Sequence, residues 1–111
     1  MFPPEWFAAG VVTPEAAADF ARYAAAAPGP RPRAWRWAAV RDWAEERGRL
    51  SAAECRALFA LGEADPDANL GTALMCLAVY QPHCPADLRA AAAGHPRPAV
   101  RRAATLFGSS Q

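Results

Sequence analysis

Apolar residues recur along this chain with the period of helices rather than of strands. Between breaks marked by proline and glycine, they return every three or four positions, and no segment shows sustained period-two alternation. The breaks predict six helices, with a further helical turn near Pro4 to Ala9. The pattern therefore predicts an all-α protein. Because the connections are short, consecutive helices are expected to be antiparallel neighbours.

Capping residues mark several of the predicted helix ends. Thr13 precedes Pro14 and an acidic residue, which is a typical helix start. Gly48 is expected to cap the C-terminus of the second helix. Ser51 and Glu54 have the spacing of a capping box, which predicts the start of the third helix.

The later helix boundaries are predicted from turn residues. Gly62 is expected to close the third helix. Asp65 is predicted to be the N-cap of the fourth helix, with Asp67 in its positive first turn. Cys84 precedes the proline that starts the fifth helix, and Gly94 ends it. A sixth helix should then run to about residue 108.

An internal repeat organises the second half of the chain. Residues 58–77 can be laid over residues 88–107 without a gap, so that each matched position lies 30 residues further along. Among the matched pairs are Pro66 with Pro96 and Leu70 with Val100. Helical repeats of this length indicate stacked hairpins, because no single hairpin can bury its apolar face alone. We therefore expect three antiparallel helical hairpins stacked as a short α–α superhelix.

The repeat predicts one helical-repeat domain over residues 1–111. Its hairpins are expected at about 13–48, 51–81 and 84–108, with an N-terminal cap over residues 1–12. Terminal units of such stacks usually differ from the internal ones. Apolar residues of the cap should cover the open end of the first hairpin: Phe2, Trp6, Phe7, Val11 and Val12.

The two matched turns carry a family resemblance. Asp65-Pro66-Asp67 followed by Leu70, and His95-Pro96-Arg97 followed by Val100, resemble the core of HEAT-like repeats. The pattern is also similar to the variant leucine-rich repeat, which is likewise helical. The first hairpin departs from it at residues 34–37. The resemblance implies an α–α superhelix that binds a macromolecular partner, and it implies no chemistry.

Composition and charge narrow the function further. The net charge is +1, which is too balanced for a general nucleic-acid or membrane-surface binder. Three widely spaced cysteines favour a reducing compartment and hence a cytoplasmic location. The N-terminus lacks the features of a signal peptide, and no apolar run approaches the length of a membrane span.

The chain offers few candidates for catalysis or metal binding. Cys76, His83, Cys84 and His95 form the only metal-like set, and their spacing matches no standard ligand grouping. Cys84 precedes a predicted helix N-terminus, which would lower the pKa of its thiol, so a nucleophilic Cys84 beside His83 is the enzymatic alternative. No third orienting residue is apparent. We expect no enzyme activity, no metal and no cofactor.

Arginine forms the most suggestive surface, and all twelve basic residues are arginine. The C-terminal cluster consists of Arg89, Arg97, Arg101 and Arg102. A second cluster begins the second helix beside Trp35 and consists of Arg31, Arg33 and Arg36. The leading hypothesis is a non-catalytic scaffold or adaptor that binds another protein, and the alternative is nucleic-acid binding through Arg31, Arg33 and the other clustered arginines. Self-association of the short stack stays open. The proposed partner-binding residues are Trp35, Arg36, Arg97, Arg101 and Arg102.

Overall fold

The computed structural model describes residues 4–26 and 32–109, and these residues form helices joined by short connections. Within them there is no strand, so the predicted all-α class is confirmed. In chain order the helices are α1 (Pro4–Ala8), α2 (Pro14–Ala26), α3 (Pro32–Arg47), α4 (Ala52–Ala64), α5 (Ala68–Val79), α6 (Ala86–Ala93) and α7 (Pro98–Ser109).

The chain divides into two compact units, Met1–Gly48 and Arg49–Gln111. The first unit contains α1 to α3, and α2 contacts α3 within it. In the second unit α4 packs against α5, α6 packs against α7, and α5 also contacts α7. Each predicted hairpin therefore falls inside a single unit, with residues 13–48 in the first and the other two in the second.

The predicted caps at the junction of the two units are confirmed. Gly48 has a φ of +79° after the end of α3, and its N–H donates to the carbonyl oxygen of Ala44 at 3.1 Å. A glycine adopts this left-handed conformation at little cost. Ser51 and Glu54 form both hydrogen bonds of a capping box, at 3.1 and 3.0 Å, so α4 begins where the sequence predicts.

Gly62 lies inside α4, and the prediction that it ends the helix is wrong. A Cβ atom on Gly62 would lie 2.6 Å from the carbonyl oxygen of Gly71 and 2.8 Å from Cγ of Met75. The missing side chain therefore lets the backbones of α4 and α5 come into close contact. α4 continues past this crossing and ends at Ala64.

The two turns of the second unit have the same local hydrogen bonding. Asp65 begins the first turn and accepts a hydrogen bond from the backbone N–H of Asp67 at 2.8 Å. His95 begins the second turn, and its Nδ1 accepts from the backbone N–H of Arg97 at 3.1 Å. The helices that follow, α5 and α7, start and end 30 positions apart. The sequence repeat thus corresponds to a repeat of local structure.

α7 has one buried side and one exposed side, in accordance with its amphipathic pattern. Val100, Ala103 and Ala104 are buried, and Arg101 is exposed on the opposite side. Leu106 departs from the expectation, because the helical wheel places it on the apolar side whereas 57% of its surface is exposed. At about 100° per residue, Leu106 lies beside Arg102 at the border of the apolar side.

The core of the first unit includes three of the apolar residues expected to act as a cap. Trp6 has no exposed surface, and Val11 and Val12 are buried. Phe7 differs, with 39% of its surface exposed, and Phe2 lies outside the described residues. Consecutive residues of an α-helix project about 100° apart, so Trp6 and Phe7 point in different directions and only Trp6 reaches the core.

An ion pair joins α4 to α6 in the second unit. The Arg56 guanidinium donates to both carboxylate oxygens of Asp87, each at 2.8 Å. Side-chain hydrogen bonds from Arg56 hold the pKa of Asp87 below its ordinary value. Because both side chains are exposed, the ion pair adds little to the free energy of unfolding. Its main effect is to orient α4 and α6 relative to each other.

Replacing Arg56 by glutamine should raise the pKa of Asp87. A carboxyl group whose pKa is lowered by folding contributes stability that is present above its unfolded pKa and is lost as the pH falls through the folded value. Because Arg56 is the main cause of the lowered pKa, NMR titration of the Asp87 side chain should show a higher midpoint in Arg56→Gln. Arg49→Gln, which changes another exposed arginine of this unit, should leave the midpoint unchanged. An unmoved midpoint in Arg56→Gln would show that the pair is absent in solution.

Candidate functional site

Two of the proposed partner-binding residues, Arg101 and Arg102, are exposed on α7. Nη1 of Arg101 donates to the carbonyl oxygens of His95 at 2.8 Å and Pro96 at 2.9 Å, which fixes the direction of its guanidinium. Arg102 forms neither a hydrogen bond nor an ion pair with any residue that the structure describes. The pair therefore offers one oriented guanidinium and one exposed guanidinium to an acidic group.

Arg97 is a packing residue of the second unit. It is half-buried, and its Nη1 donates to Oγ1 of Thr72 at 3.3 Å and lies 3.5 Å from the carbonyl oxygen of Ala68. These contacts tie the start of α7 to α5. The sequence places Arg97 beside Arg101 and Arg102, but in the structure its guanidinium points toward α5.

Arg36 is also engaged inside its own unit. Only 8% of its surface is exposed, and its Cζ lies 5.1 Å from the centre of the Trp6 ring. A cation over an aromatic face is stabilised by the ring quadrupole, more strongly where water is excluded. Arg31 and the side chains of Arg33 and Trp35 lie outside the described residues, so the surface of the first arginine cluster is not defined.

The metal-like set is dispersed over the second unit. Cys76 lies on α5 facing α7, Cys84 is buried, His83 is exposed, and His95 contacts Glu63. Within the described ranges no three His, Cys, Asp or Glu side chains lie close enough together to hold a metal ion. The structure therefore does not bring the four residues into one site.

The expectation that a helix N-terminus lowers the pKa of Cys84 is wrong. α6 begins at Ala86 with Pro85 as its N-cap, and Cys84 lies buried before this cap. Burial raises the pKa of the Cys84 thiol, although the Arg89 guanidinium acts in the opposite direction. Cys55 behaves in the same way, because burial raises the pKa of its thiol to about 11.

Cys84 should therefore react slowly with iodoacetamide at neutral pH. The thiolate is the reactive form, and a raised pKa keeps the group protonated until the solution becomes alkaline. We expect labelling of the folded protein, followed by mass spectrometry, to be at least about tenfold slower than in urea because the thiol must first be uncovered. Cys76 is less buried and serves as the internal comparison. Fast labelling of native Cys84 at neutral pH would restore the nucleophile hypothesis.

The two turn acids have structural roles that differ from the predicted ones. Asp67, not Asp65, is the N-cap of α5, and its Oδ1 accepts from the backbone N–H of Asn69 at 3.0 Å and of Leu70 at 3.1 Å. Asp65 is the C-cap of α4, and its carboxylate is buried in the turn. The helix starts later than predicted because Pro66 and Asp67 form the turn itself.

His95 has a structural role that the sequence pattern did not predict. Its ring lies edge-on to Phe59, with centroids 5.8 Å apart, and its Nε2 lies 3.2 Å from Oε2 of Glu63. Because Nδ1 accepts from Arg97, Nε2 carries the proton of the neutral ring and donates it to Glu63. The alignment of His95 with Asp65 was the available signal, since both positions supply an acceptor to the turn.

The chain matches no protein-family model, no curated protein and no solved structure. No family is therefore assigned, and the likeness to HEAT-like repeats stays a prediction from the sequence. Of the helices in the described part of the chain, none has the length and apolar character that a membrane crossing requires.

Proposed function

We propose that this chain is a non-catalytic helical-repeat domain that binds another protein as a scaffold or adaptor. The observation that carries the proposal is the equivalence of the two turns and of the helices that follow them, at an offset of 30 residues. Stacked hairpins of this kind present extended surfaces suited to binding.

The proposal includes the finer architecture that the sequence predicts. It comprises a HEAT-like α–α superhelix of three hairpins, of which the first spans residues 13–48, and an N-terminal cap over residues 1–12. Contact between α5 and α7 supports stacking of the last two hairpins, because the second helix of each predicted repeat packs on the other. A cytoplasmic location belongs to the same proposal and is supported by three free cysteines.

The exposed side of α7 is the proposed partner-binding surface. Arg101 and Arg102 favour a partner segment rich in carboxylates, since guanidinium groups bind carboxylates with two parallel hydrogen bonds. Trp35 stays a proposed anchor. Arg36 and Arg97 are set aside as direct contacts because both are engaged in packing within their units.

An affinity pull-down from source lysate, with and without nuclease, tests this function. We expect a protein partner that survives nuclease, is retained by Arg49→Glu and is lost with Arg102→Glu. These variants reverse the same charge at two exposed positions of one unit. Recovery of nothing beyond background, or equal loss with both variants, contradicts the proposed surface.

Loss of all recovery on nuclease treatment would instead support nucleic-acid binding. That alternative predicts a steep fall in affinity with salt, in proportion to the number of phosphates contacted. Within the described part of the second unit, Arg101 and Arg102 are the arginines of the C-terminal cluster with exposed side chains, which favours the protein partner. Sedimentation of the purified chain tests the further alternative of self-association.

A further inference from the structure

The first unit contains a cleft of about 570 Å³ between α3 and the residues that follow α1. Gly10 turns the chain after α1 with a φ of +77°, and the next residue donates its N–H to the carbonyl oxygen of Trp6 at 3.0 Å. Because of this turn, Gly10, Val11 and Thr13 line the side of the cleft opposite α3. Clefts of this volume hold drug-sized ligands or a few side chains of a peptide.

The lining of the cleft combines an apolar base with two carboxylates. Val11, Ala39 and Trp43 supply the apolar part, while Asp42 and Glu46 are exposed. Because the two acids are four residues apart in α3, they lie on the same side of the helix, one turn from each other. A single cation can therefore contact both carboxylates while the group that carries it packs on the indole.

Neither carboxylate is held in a strong interaction. The ion pair of Asp42 with Arg41 is 3.5 Å long, and both partners are mostly exposed. Such pairs contribute little and exchange readily. Glu46 makes neither an ion pair nor a hydrogen bond within the described residues. Arg47 also lines the cleft, but its Cζ lies 5.9 Å from the centre of the Trp43 ring, so its charge is directed over the indole.

We propose that this cleft binds an arginine or lysine side chain of an extended peptide segment in a partner protein. The cationic head lies between Asp42 and Glu46, and the aliphatic stem packs on Val11 and Trp43. A peptide segment is the proposed occupant because a cleft of about 570 Å³ has room for the residues on either side of the cationic one. The site is independent of the arginines of α7.

Titration with short peptides tests the site. The probes are acetyl-Ala-Arg-Ala amide and the same peptide with citrulline, which has nearly the shape of arginine without its charge. We expect the arginine peptide to bind at least about tenfold more tightly at low salt, measured by calorimetry and by quenching of tryptophan fluorescence. All four tryptophans precede residue 49, so the fluorescence reports on this unit.

Charge-neutralising variants locate the site on α3. Asp42→Asn and Glu46→Gln should each weaken binding of the arginine peptide by about threefold or more, and together by about tenfold. Glu45→Gln removes the same charge from an exposed position that does not line the cleft, and it should bind as the unchanged protein does. All three are surface changes, and unaltered melting curves would verify that each variant folds.

Four results would overturn the proposal. Equal binding of the arginine and citrulline peptides removes the role of charge, and no binding of either at millimolar concentration removes the site itself. An equal loss in Glu45→Gln and Glu46→Gln places the cation elsewhere. Binding of spermidine as tight as that of the arginine peptide assigns the cleft to free amines. Arg102→Glu should retain peptide binding, so failure of the α7 surface and failure of this cleft are distinguishable.

Discussion

Replacing Gly71 by alanine is expected to destabilise the second unit by about 3 kcal/mol, as overpacking at a tight contact does. The new methyl group would meet the carbonyl oxygen of Gly62, which is a backbone atom and cannot rotate away. It would also lie 3.2 Å from Nη1 of Arg97, the side chain that ties α7 to α5. The change should therefore separate α4 from α5 and weaken the contact between α5 and α7.

The close contact and helix propensity predict opposite changes in stability for Gly71→Ala. Alanine favours a helix over glycine by about 1 kcal/mol, so without the contact Gly71→Ala would raise stability. Gly94→Ala, at the C-cap of α6, is the control, because its added methyl group would lie 3.9 Å from the carbonyl oxygen of Ala91, an ordinary contact. Urea unfolding, monitored by the circular dichroism signal of the helices, should show a lower midpoint urea concentration for Gly71→Ala but not for Gly94→Ala. A midpoint equal to or above that of the unchanged protein would mean that α4 and α5 lie further apart in solution.

The sequence identified helix ends where the signal is local. Ser51, Glu54 and Gly48 act within one turn of the chain, and their caps are where the spacing predicts. The prediction for Gly62 is wrong because glycine can either end a helix or allow two helices to approach each other closely. Only the position of Gly71 on the facing helix distinguishes these two roles, and that position depends on tertiary packing.

The candidate site could likewise be predicted only where its residues belong to one helix. A helical wheel suffices to place Arg101 and Arg102 on the exposed side of α7. It cannot show that Arg36 lies over Trp6, since the two residues are far apart in the chain. The cleft depends on the left-handed turn at Gly10, which brings residues after α1 opposite α3, and no periodicity within one helix reports such an arrangement.

The first unit should depend most strongly on Trp6. This side chain has no exposed surface, and removal of a buried tryptophan side chain costs about 3 to 5 kcal/mol. Trp6→Ala would also leave Arg36 buried without the ring that its guanidinium covers. In a unit of this size, a loss of that magnitude is a large part of the free energy of unfolding.

Phe7→Ala is the control for Trp6→Ala, because it removes an aromatic side chain from the same helix at a position with 39% exposure. We expect its unfolding free energy to change by less than about 1 kcal/mol. Fluorescence of the remaining tryptophans during urea unfolding measures both variants within the first unit. Equal stabilities would mean that α1 does not pack against α3 in solution. The cleft shares that packing through Val11, so binding of the arginine peptide should then be absent from the unchanged protein as well.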